Sequence, residues 1–167
     1  MSRRNLDLNQ LGFLLGRAYY NYIGFLERFI ADEGLDEHVK PGMGSLLFAL
    51  YREDDRTITE VSQELQVAKS TMTGMVGRMK DAGLVTIIAD KHDGRVTRLR
   101  LTELARSIEP RCIRVAARVE KLLCRGFQVA DQKRLRSSLV KLTATMTEHL
   151  QSRRRAAKRR AAKQTKA

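Results

Sequence analysis

The sequence has no tryptophan, and phenylalanine and tyrosine together make up only 5% of its 167 residues. An aromatic-poor chain must build its core from aliphatic side chains and methionine, and six methionines are available. No apolar run approaches the ~18 residues that a membrane-spanning helix needs. The segment that follows the basic residues Arg3 and Arg4 has no continuous apolar run, because it is interrupted by Asn9, Gln10 and Arg17. We therefore predict no signal peptide and no membrane partner, and expect a cytoplasmic location.

Cysteine and histidine are also scarce. Cys112 and Cys124 are twelve residues apart, which is neither a disulfide framework nor a zinc spacing. The three histidines show no ligand spacing, so no metal site and no cofactor are predicted. Catalytic Ser/His/Asp or Cys/His sets, phosphate-binding glycine loops and clustered carboxylates are absent as well. These absences place an enzyme far behind the other functions considered below.

Acidic residues are too few to balance the basic ones, and the net charge is +13. Residues 151–167 hold eight Lys and Arg and no acid, which leaves 24 basic against 19 acidic residues, or +5, in residues 1–150. A basic balance of this kind indicates a polyanionic partner, nucleic acid first and an anionic membrane second.

One stretch, KSTMTGMVGRMK from Lys69 to Lys80, has two contrasting faces when placed on a helix. The apolar arc of Met72, Met75, Val76 and Met79 predicts a core-facing stripe. The opposite side carries short hydroxyls, two glycines and an arginine. These are groups that a DNA major groove accepts, although a small-residue face for a partner helix is the other interpretation.

Around this stretch the sequence predicts a mainly α fold. Apolar 3- and 4-residue steps indicate a long first helix from about Leu6 to Ile30, with Asn5 or Asp7 as its cap and Gly34 at its end. Two long helices are expected near the C-terminus, where Thr102 caps the first of them and Pro110 kinks it or marks its effective start. The second begins near residue 130. It can continue into the basic tail, which we expect to be disordered or marginally helical until it meets a polyanion.

Between the long helices lie shorter elements. Pro41 is predicted in the first turn of a helix that ends near Tyr51. Thr57 or Thr59 caps the next helix, and a tight turn then leads to the Lys69 helix in helix-turn-helix order. Gly83 ends that helix, and the segments 84–89 and 96–101, separated by Asp93-Gly94, predict a two-stranded β-hairpin. A hairpin directly after a candidate recognition helix is a winged helix.

Two sequence pieces in this order resemble the MarR family of bacterial transcriptional regulators. The segment DKHDGRVTRLRLT, residues 90–102, is similar to the family's D-x-R-D-x-R…LT wing, and VAKSTMTGMVGRMKDAGLV, residues 67–85, is similar to its recognition helix. The likeness covers nearly all of residues 6–150. It implies a homodimer that holds two winged helices on a pseudo-palindromic operator of double-stranded DNA, usually as a repressor released by a small ligand or by oxidation.

The resemblance also implies a domain plan and a set of contacts. Residues 1–34 and 102–150 would be dimerisation helices, residues 35–101 the DNA-binding domain and residues 151–167 a basic tail. Arg95 would enter the minor groove, with Asp90 or Asp93 stabilising the wing, although Arg95 could instead only brace the hairpin. The further predicted DNA contacts are Lys69, Ser70, Thr71, Thr73, Gly74, Arg78, Lys91 and His92.

Two departures from the family pattern affect how DNA would be recognised. His92 stands where the family often has Arg, and Gly74 where a longer base-reading side chain is common. Both favour recognition by shape and backbone contacts. The basic tail lies outside the family pattern and is expected to add phosphate contacts.

Two other groups of residues have more than one interpretation. Arg17, Tyr19, Tyr20 and Tyr22 could line an effector pocket, or they could pack at an interface with their hydroxyls outward. The cysteines could sense oxidants, but their place on an apolar helix favours a role as small core residues.

Two functions remain in competition. The first is a sequence-specific, ligand- or redox-responsive repressor. The second is an architectural DNA-binding protein that coats any duplex with its winged helix and tail. The repressor would prefer its operator over other duplexes, whereas the architectural protein would bind any duplex with similar affinity.

Overall fold

The computed structural model describes residues 7–90, 93 and 96–164, with side chains described as far as residue 153. Asn5 and the predicted DNA contacts Lys91, His92 and Arg95 lie outside the described residues. The elements run in this order: α1 (Leu11–Asp32), α2 (Gly44–Arg52), β1 (Arg56–Thr57), α3 (Ile58–Glu64), α4 (Lys69–Asp81), β2 (Val85–Ala89), β3 (Thr97–Leu101), α5 (Glu103–Cys124) and α6 (Val129–Gln164).

The predicted winged-helix architecture is confirmed, with one strand more than expected. The antiparallel sheet has three strands in the order β1-β3-β2, because Arg56 and Thr57 pair with Leu99 and Arg98 of β3. Two residues are too few for a period-2 pattern to indicate a strand. We refer to residues 44–101, from α2 to β3, as the winged-helix body, and to α1, α5 and α6 as the long helices.

The core is aliphatic and rich in methionine, as predicted. Among the described residues no phenylalanine or tyrosine is buried, whereas Met43, Met72, Met75 and Met79 all are. The last three belong to α4, and with Val76 they form the inward stripe that its sequence predicts. Because this face of α4 is buried, the residues on the opposite face of the helix lie at the surface.

Local chemistry sets the ends of the helices. Thr57 forms a capping box with Glu60 at the start of α3, and Thr102 Oγ1 accepts the Ala105 amide at the start of α5. Gly34 and Gly83 take positive φ angles of 63° and 70° at the ends of α1 and α4, where L-residues with a Cβ are strained. All four roles agree with the predictions.

Several predicted boundaries were wrong. Helix α1 begins at Leu11 rather than Leu6, and Asp7 accepts the Asn9 amide instead of capping the helix. Pro41 lies in a turn, and α2 begins at Gly44 because the segment before it folds back through Gly42 with φ +87°. Pro110 is not a helix start, since α5 already begins at Glu103 and runs through it.

The basic tail is helical to Gln164, in continuity with α6, so the disordered alternative is not what the structure shows. Alanine, lysine and arginine are good helix formers, which accounts for the continuation after the apolar stripe ends at Leu150.

Candidate nucleic-acid interface and ligand cavity

The turn between α3 and α4 orients the candidate recognition helix. Gln66 takes the left-handed conformation with φ +52°, and the Ser62 hydroxyl donates to the Val67 carbonyl at 3.0 Å. The Val67 amide in turn donates to the Ser62 carbonyl at 3.2 Å. These local bonds define a tight turn, and α4 follows two residues later.

The outward face of α4 presents small residues at the surface, as the sequence predicts. Lys69, Ser70, Thr71, Thr73 and Gly74 are all exposed. The Thr73 hydroxyl donates to the Lys69 carbonyl at 2.9 Å, so its proton is used within the helix and its oxygen remains an acceptor. This face therefore allows close approach of a backbone more readily than it supplies long base-reading side chains.

The side chain of Arg78 is placed differently from the other predicted DNA contacts of α4. Its Nη1 lies 3.6 Å from the position that a Cβ on Gly74 would occupy, and its Nη2 lies 4.0 Å from the corresponding position on Gly42. The side chain thus passes over Gly74 toward the segment before α2. No ion pair joins it to any residue in the described ranges. Arg78 therefore belongs to the helix that would contact DNA, and it also lines the cavity described below.

The wing is braced by a group of charged residues, of which only Asp90 was predicted from the sequence. Arg98 Nη1 lies 2.9 Å from Asp90 Oδ2, and Arg98 Nε lies 2.9 Å from Asp55 Oδ1. Arg100 Nη2 lies 2.6 Å from the other Asp55 oxygen. Hydrogen bonds from Arg100 and Arg98 lower the pKa of Asp55. Asp55 holds a positive φ of 56°, so this turn residue joins β1 to the hairpin through its side chain.

Asp90 and Asp93, the predicted wing-stabilising residues, have separate parts in the turn. Asp90 Oδ1 accepts the Asp93 amide at 3.2 Å, and its Oδ2 pairs with Arg98. The Asp93 carbonyl accepts the Val96 amide at 2.8 Å. Asp54 adds a further tie, because its Oδ1 accepts the Leu101 amide at 2.9 Å while its Oδ2 pairs with Arg106. The consecutive acids 54 and 55 after α2 were the available sequence signal for this bracing.

A cavity of about 730 Å³ lies between α1, α2 and α5. Of the four predicted pocket residues, Tyr19 and Tyr22 line it, whereas Arg17 and Tyr20 do not. Tyr20 is instead 76% exposed. Most of the other residues that line the cavity were not predicted from the sequence. The apolar part of the lining comes from α1, α2 and α5, including Leu26, Leu47, Phe48, Val115 and Val119.

Three charged side chains stand among the mostly apolar lining residues: Glu27 of α1, Lys40 of the following loop and Arg78 of α4. The Lys40 ammonium group donates to the Asp36 carbonyl. The cavity therefore combines an apolar interior with a few polar groups, which is the composition of small-molecule sites.

The two cysteines lie in different surroundings. Cys112 is buried against the cavity, and the Tyr51 hydroxyl, which donates to the Ala105 carbonyl at 2.8 Å, lies 3.7 Å from its Sγ. Burial raises the pKa of both Cys112 and Tyr51. Cys124 is half-buried, with its Sγ 3.4 Å from a Glu120 oxygen. Desolvation and this carboxylate raise the pKa of Cys124. Neither thiol has the lowered pKa of a reactive cysteine.

The long helices carry a broad set of exposed apolar side chains. In α6 they recur every one or two turns, at Leu135, Leu139, Met146 and Leu150, and each is 44–55% exposed. The start of α1 and the α5–α6 corner add Leu11, Phe13, Leu14, Leu122, Leu123 and Phe127. Exposed apolar surface on this scale marks an interaction site.

Within the described part of the chain, no helix is long and apolar enough to cross a membrane. No group of three or more His, Cys, Asp or Glu residues in those ranges is placed to hold a metal ion.

The family model described as "MarR family" matches residues 44–96, which span α2 to the wing. The HTH-type transcriptional repressor IacR of Pseudomonas putida is 29% identical over 127 residues, or 76% of this chain and 74% of that protein. Both matches agree with the resemblance to the MarR family that the sequence indicates. The family and the matched repressor are DNA-binding transcriptional regulators and not enzymes.

Solved structures share the MarR fold with this chain. PcaV of Streptomyces coelicolor, a transcriptional regulator solved with its natural ligand, is 23% identical with a TM-score of 0.69, over 87% of this chain and 98% of that one. Bordetella bronchiseptica BpsR, solved to explain how 6-hydroxynicotinic acid regulates its DNA binding, is 21% identical. Its TM-score is 0.69, over 81% of this chain and 94% of BpsR. At these identities the likeness concerns the fold.

Proposed function

We propose that this chain is a homodimeric MarR-family repressor that binds a pseudo-palindromic operator and is released when a small molecule fills the cavity between α1, α2 and α5. The observation that carries the proposal is the position of Arg78, which belongs to the recognition helix and also lines that cavity. A ligand in the cavity would contact the long helices and the DNA-binding helix at once.

The dimer follows from the exposed apolar side chains of the long helices. The occupant that suits such a face is a second copy of the same chain, because two-fold pairing covers the same apolar stripe on both subunits. The predicted dimerisation segments, 1–34 and 102–150, are the ones that contain these helices. Two winged helices held in this way would meet two half-sites of one operator.

DNA recognition is assigned to the exposed face of α4 and to the wing. The face holds Lys69, Ser70, Thr71, Thr73 and Gly74, while Lys91, His92 and Arg95 stay predicted wing contacts. Because the hydroxyls are short and Gly74 has no side chain, we expect backbone contacts and DNA shape to supply much of the specificity.

Release by a small molecule is favoured over release by oxidation. The cavity volume of about 730 Å³ lies in the range of small-molecule sites, roughly 300–1,000 Å³. PcaV was solved in complex with its natural ligand, and 6-hydroxynicotinic acid regulates DNA binding by BpsR. Both thiols, by contrast, have raised pKa values.

Mapping of binding sites on the native genome, followed by affinity measurements on the top site and on a scrambled duplex at one salt concentration, tests the operator. We expect a preference of about 10³-fold or more, together with a dimer by light scattering. Equal affinity for the two duplexes would instead establish the architectural DNA-coating function, which the bare Gly74 surface and the basic tail favour.

Cavity variants test the release mechanism. Ala116 lines the cavity and is half-buried, whereas its neighbour Ala117 is exposed and does not line it. Ala116→Leu should keep operator binding and lose release by small molecules identified in a thermal-shift screen, while Ala117→Leu behaves as the wild type. Normal release of Ala116→Leu would place the effector elsewhere.

A further inference from the structure

The basic end of α6 has a defined course relative to the winged helix. Helix α5 starts at the body, where the Thr102 hydroxyl donates to the Gly83 carbonyl at 2.7 Å. The chain then reverses between α5 and α6, and Arg136 pairs with Glu120 across the two helices. Helix α6 therefore runs back from the far end of α5 toward the winged helix.

Farther along, α6 reaches the helix-turn-helix. A shallow cleft of about 430 Å³ is lined by Ala144, Thr147, Glu148 and Gln151 on one side and by Ser62, Gln63, Gln66 and Val67 on the other. The second group lies at the end of α3 and in the turn before α4. This is the N-terminal end of the recognition helix, the end whose residues contact base edges while the preceding helix crosses the DNA backbone.

The helix does not stop at this cleft. It continues for 13 residues beyond Gln151, to Gln164, which is about 20 Å at 1.5 Å per residue. These 13 residues include seven Lys and Arg and no acid. About six consecutive phosphates of one DNA strand occupy the same length at 3.4 Å each.

The sequence of this extension also suits a polyanion better than solvent. Like charges four residues apart, as at Arg154/Lys158, Arg155/Arg159 and Arg159/Lys163, destabilise an isolated helix. Phosphates placed beside them would remove that repulsion.

We propose that residues 152–164 form a third DNA-binding element, which lies along the phosphate backbone beside each half-site and extends the protein–DNA interface past the winged helix. The inference rests on the proposed operator-binding function. It adds that the extension contributes affinity without contributing sequence preference, because phosphates are the same at every base pair.

The test compares the full-length protein with Arg154→Gln/Lys158→Gln/Arg159→Gln/Lys163→Gln. The matched control is Arg125→Gln/Lys133→Gln/Arg134→Gln/Lys141→Gln, which removes four exposed charges from the α5–α6 region away from the extension. Glutamine is chosen because its helix propensity is close to that of lysine and arginine. Affinity for operator and scrambled duplexes is measured between about 50 and 200 mM salt, where phosphate binding changes affinity most visibly.

We expect the tail variant to have a shallower slope of log affinity against log salt on both duplexes. Each phosphate that the variant no longer neutralises should reduce the slope by about 0.9, and we expect a reduction of about 1.8 or more. The preference for the operator should stay as in the wild type. Hydroxyl-radical footprinting should show protected positions outside the half-sites that disappear in the variant, while the control keeps both the slope and the footprint.

An unchanged slope and footprint in the tail variant, or an equal reduction in the control, would overturn the inference. So would a tail that leaves DNA binding unaltered but is required for sedimentation with phosphatidylglycerol vesicles, since the partner would then be a membrane surface. These outcomes leave the operator preference of the full chain intact. Failure of the proposed function is the separate case in which that preference itself is missing.

Discussion

The winged-helix body and the long helices use apolar residues in opposite ways. In the body they are buried, and Leu46, Leu50, Met72, Met79 and Leu99 are each 0% exposed. In the long helices many are at the surface, and α6 has no buried residue among those with described side chains. The body can hold its shape within one chain. The long helices need a second surface before their apolar side chains leave water.

The strongest test of this difference between the two regions is a charge placed on the exposed apolar stripe of α6. Leu139→Asp should leave the monomer folded, because Leu139 is 47% exposed, and should separate the proposed dimer. Loss of paired half-site binding should weaken operator affinity by roughly 10²–10⁴-fold, the usual range of such linkage. Light scattering and operator titration measure both effects. Ser137→Asp, at another exposed position of α6, is the control.

A dimeric Leu139→Asp variant with normal affinity would show that this stripe lies outside the interface. A variant that fails to fold by circular dichroism would show that the helix is needed within its own chain. Either result would mean that the two regions do not differ in how they use their apolar residues.

The body is tested by removing a buried side chain. Met79→Ala should lower the free energy of unfolding by about 2–5 kcal/mol, the range for a large-to-small change in a core. The cost arises because Met79 is fully enclosed and its removal leaves a cavity behind α4. Denaturant unfolding followed by circular dichroism measures the change. Met146→Ala in α6, where the side chain is half exposed, should cost far less in the monomeric Leu139→Asp background.

The same contrast explains what could be predicted from the sequence. The Met72 to Met79 stripe, the Gly83 end and the Thr102 cap depend on neighbours within a few residues, so spacing and propensity were enough. The Asp55–Arg98 bridge joins residues 43 apart along the chain, and no local pattern indicates it. The strand β1 was missed for the same reason, since only its pairing with β3 makes two residues a strand.

The cavity shows more clearly what local sequence patterns could not predict. Tyr19 and Tyr22 could be predicted because aromatic residues on one helix face form a visible pattern. Arg78 was assigned only to DNA, because the path of its side chain over Gly74 toward Gly42 depends on how α4 packs below the loop after α1. When only the sequence of its own helix is considered, a residue that belongs to two sites is assigned to just one of them.

The wing offers a smaller and pH-dependent effect. The pKa of Asp55 is lowered by Arg100 and Arg98, so its carboxylate contributes stability that is present above the unfolded pKa, near 4. That contribution is lost as the pH falls through the lower folded value. Asp55→Asn should remove this acid-sensitive component and weaken operator binding modestly at neutral pH, since Asn tolerates the positive φ at this position.

Amide exchange in β2 and β3 between about pH 3 and pH 7, a range that spans the titration of an aspartate, follows the loss. Glu53→Gln, on a neighbouring exposed residue, is the control. Identical pH profiles of wild type and Asp55→Asn would show that the bridge does not hold the wing.

The smallest expected effect concerns the cysteines, one in the core behind the cavity and one on a long helix. Cys112 is 4% exposed and should resist a thiol reagent in the native protein, whereas half-buried Cys124 should react slowly because the pKa of its thiol is raised. Operator affinity should then stay the same after mild peroxide treatment, and equally in Cys112→Ser and Cys124→Ser. Electrophoretic mobility shifts with and without peroxide make the comparison. Release of the wild type by peroxide, abolished in Cys124→Ser alone, would move the trigger from the cavity to the α5–α6 corner and make oxidation part of the regulation.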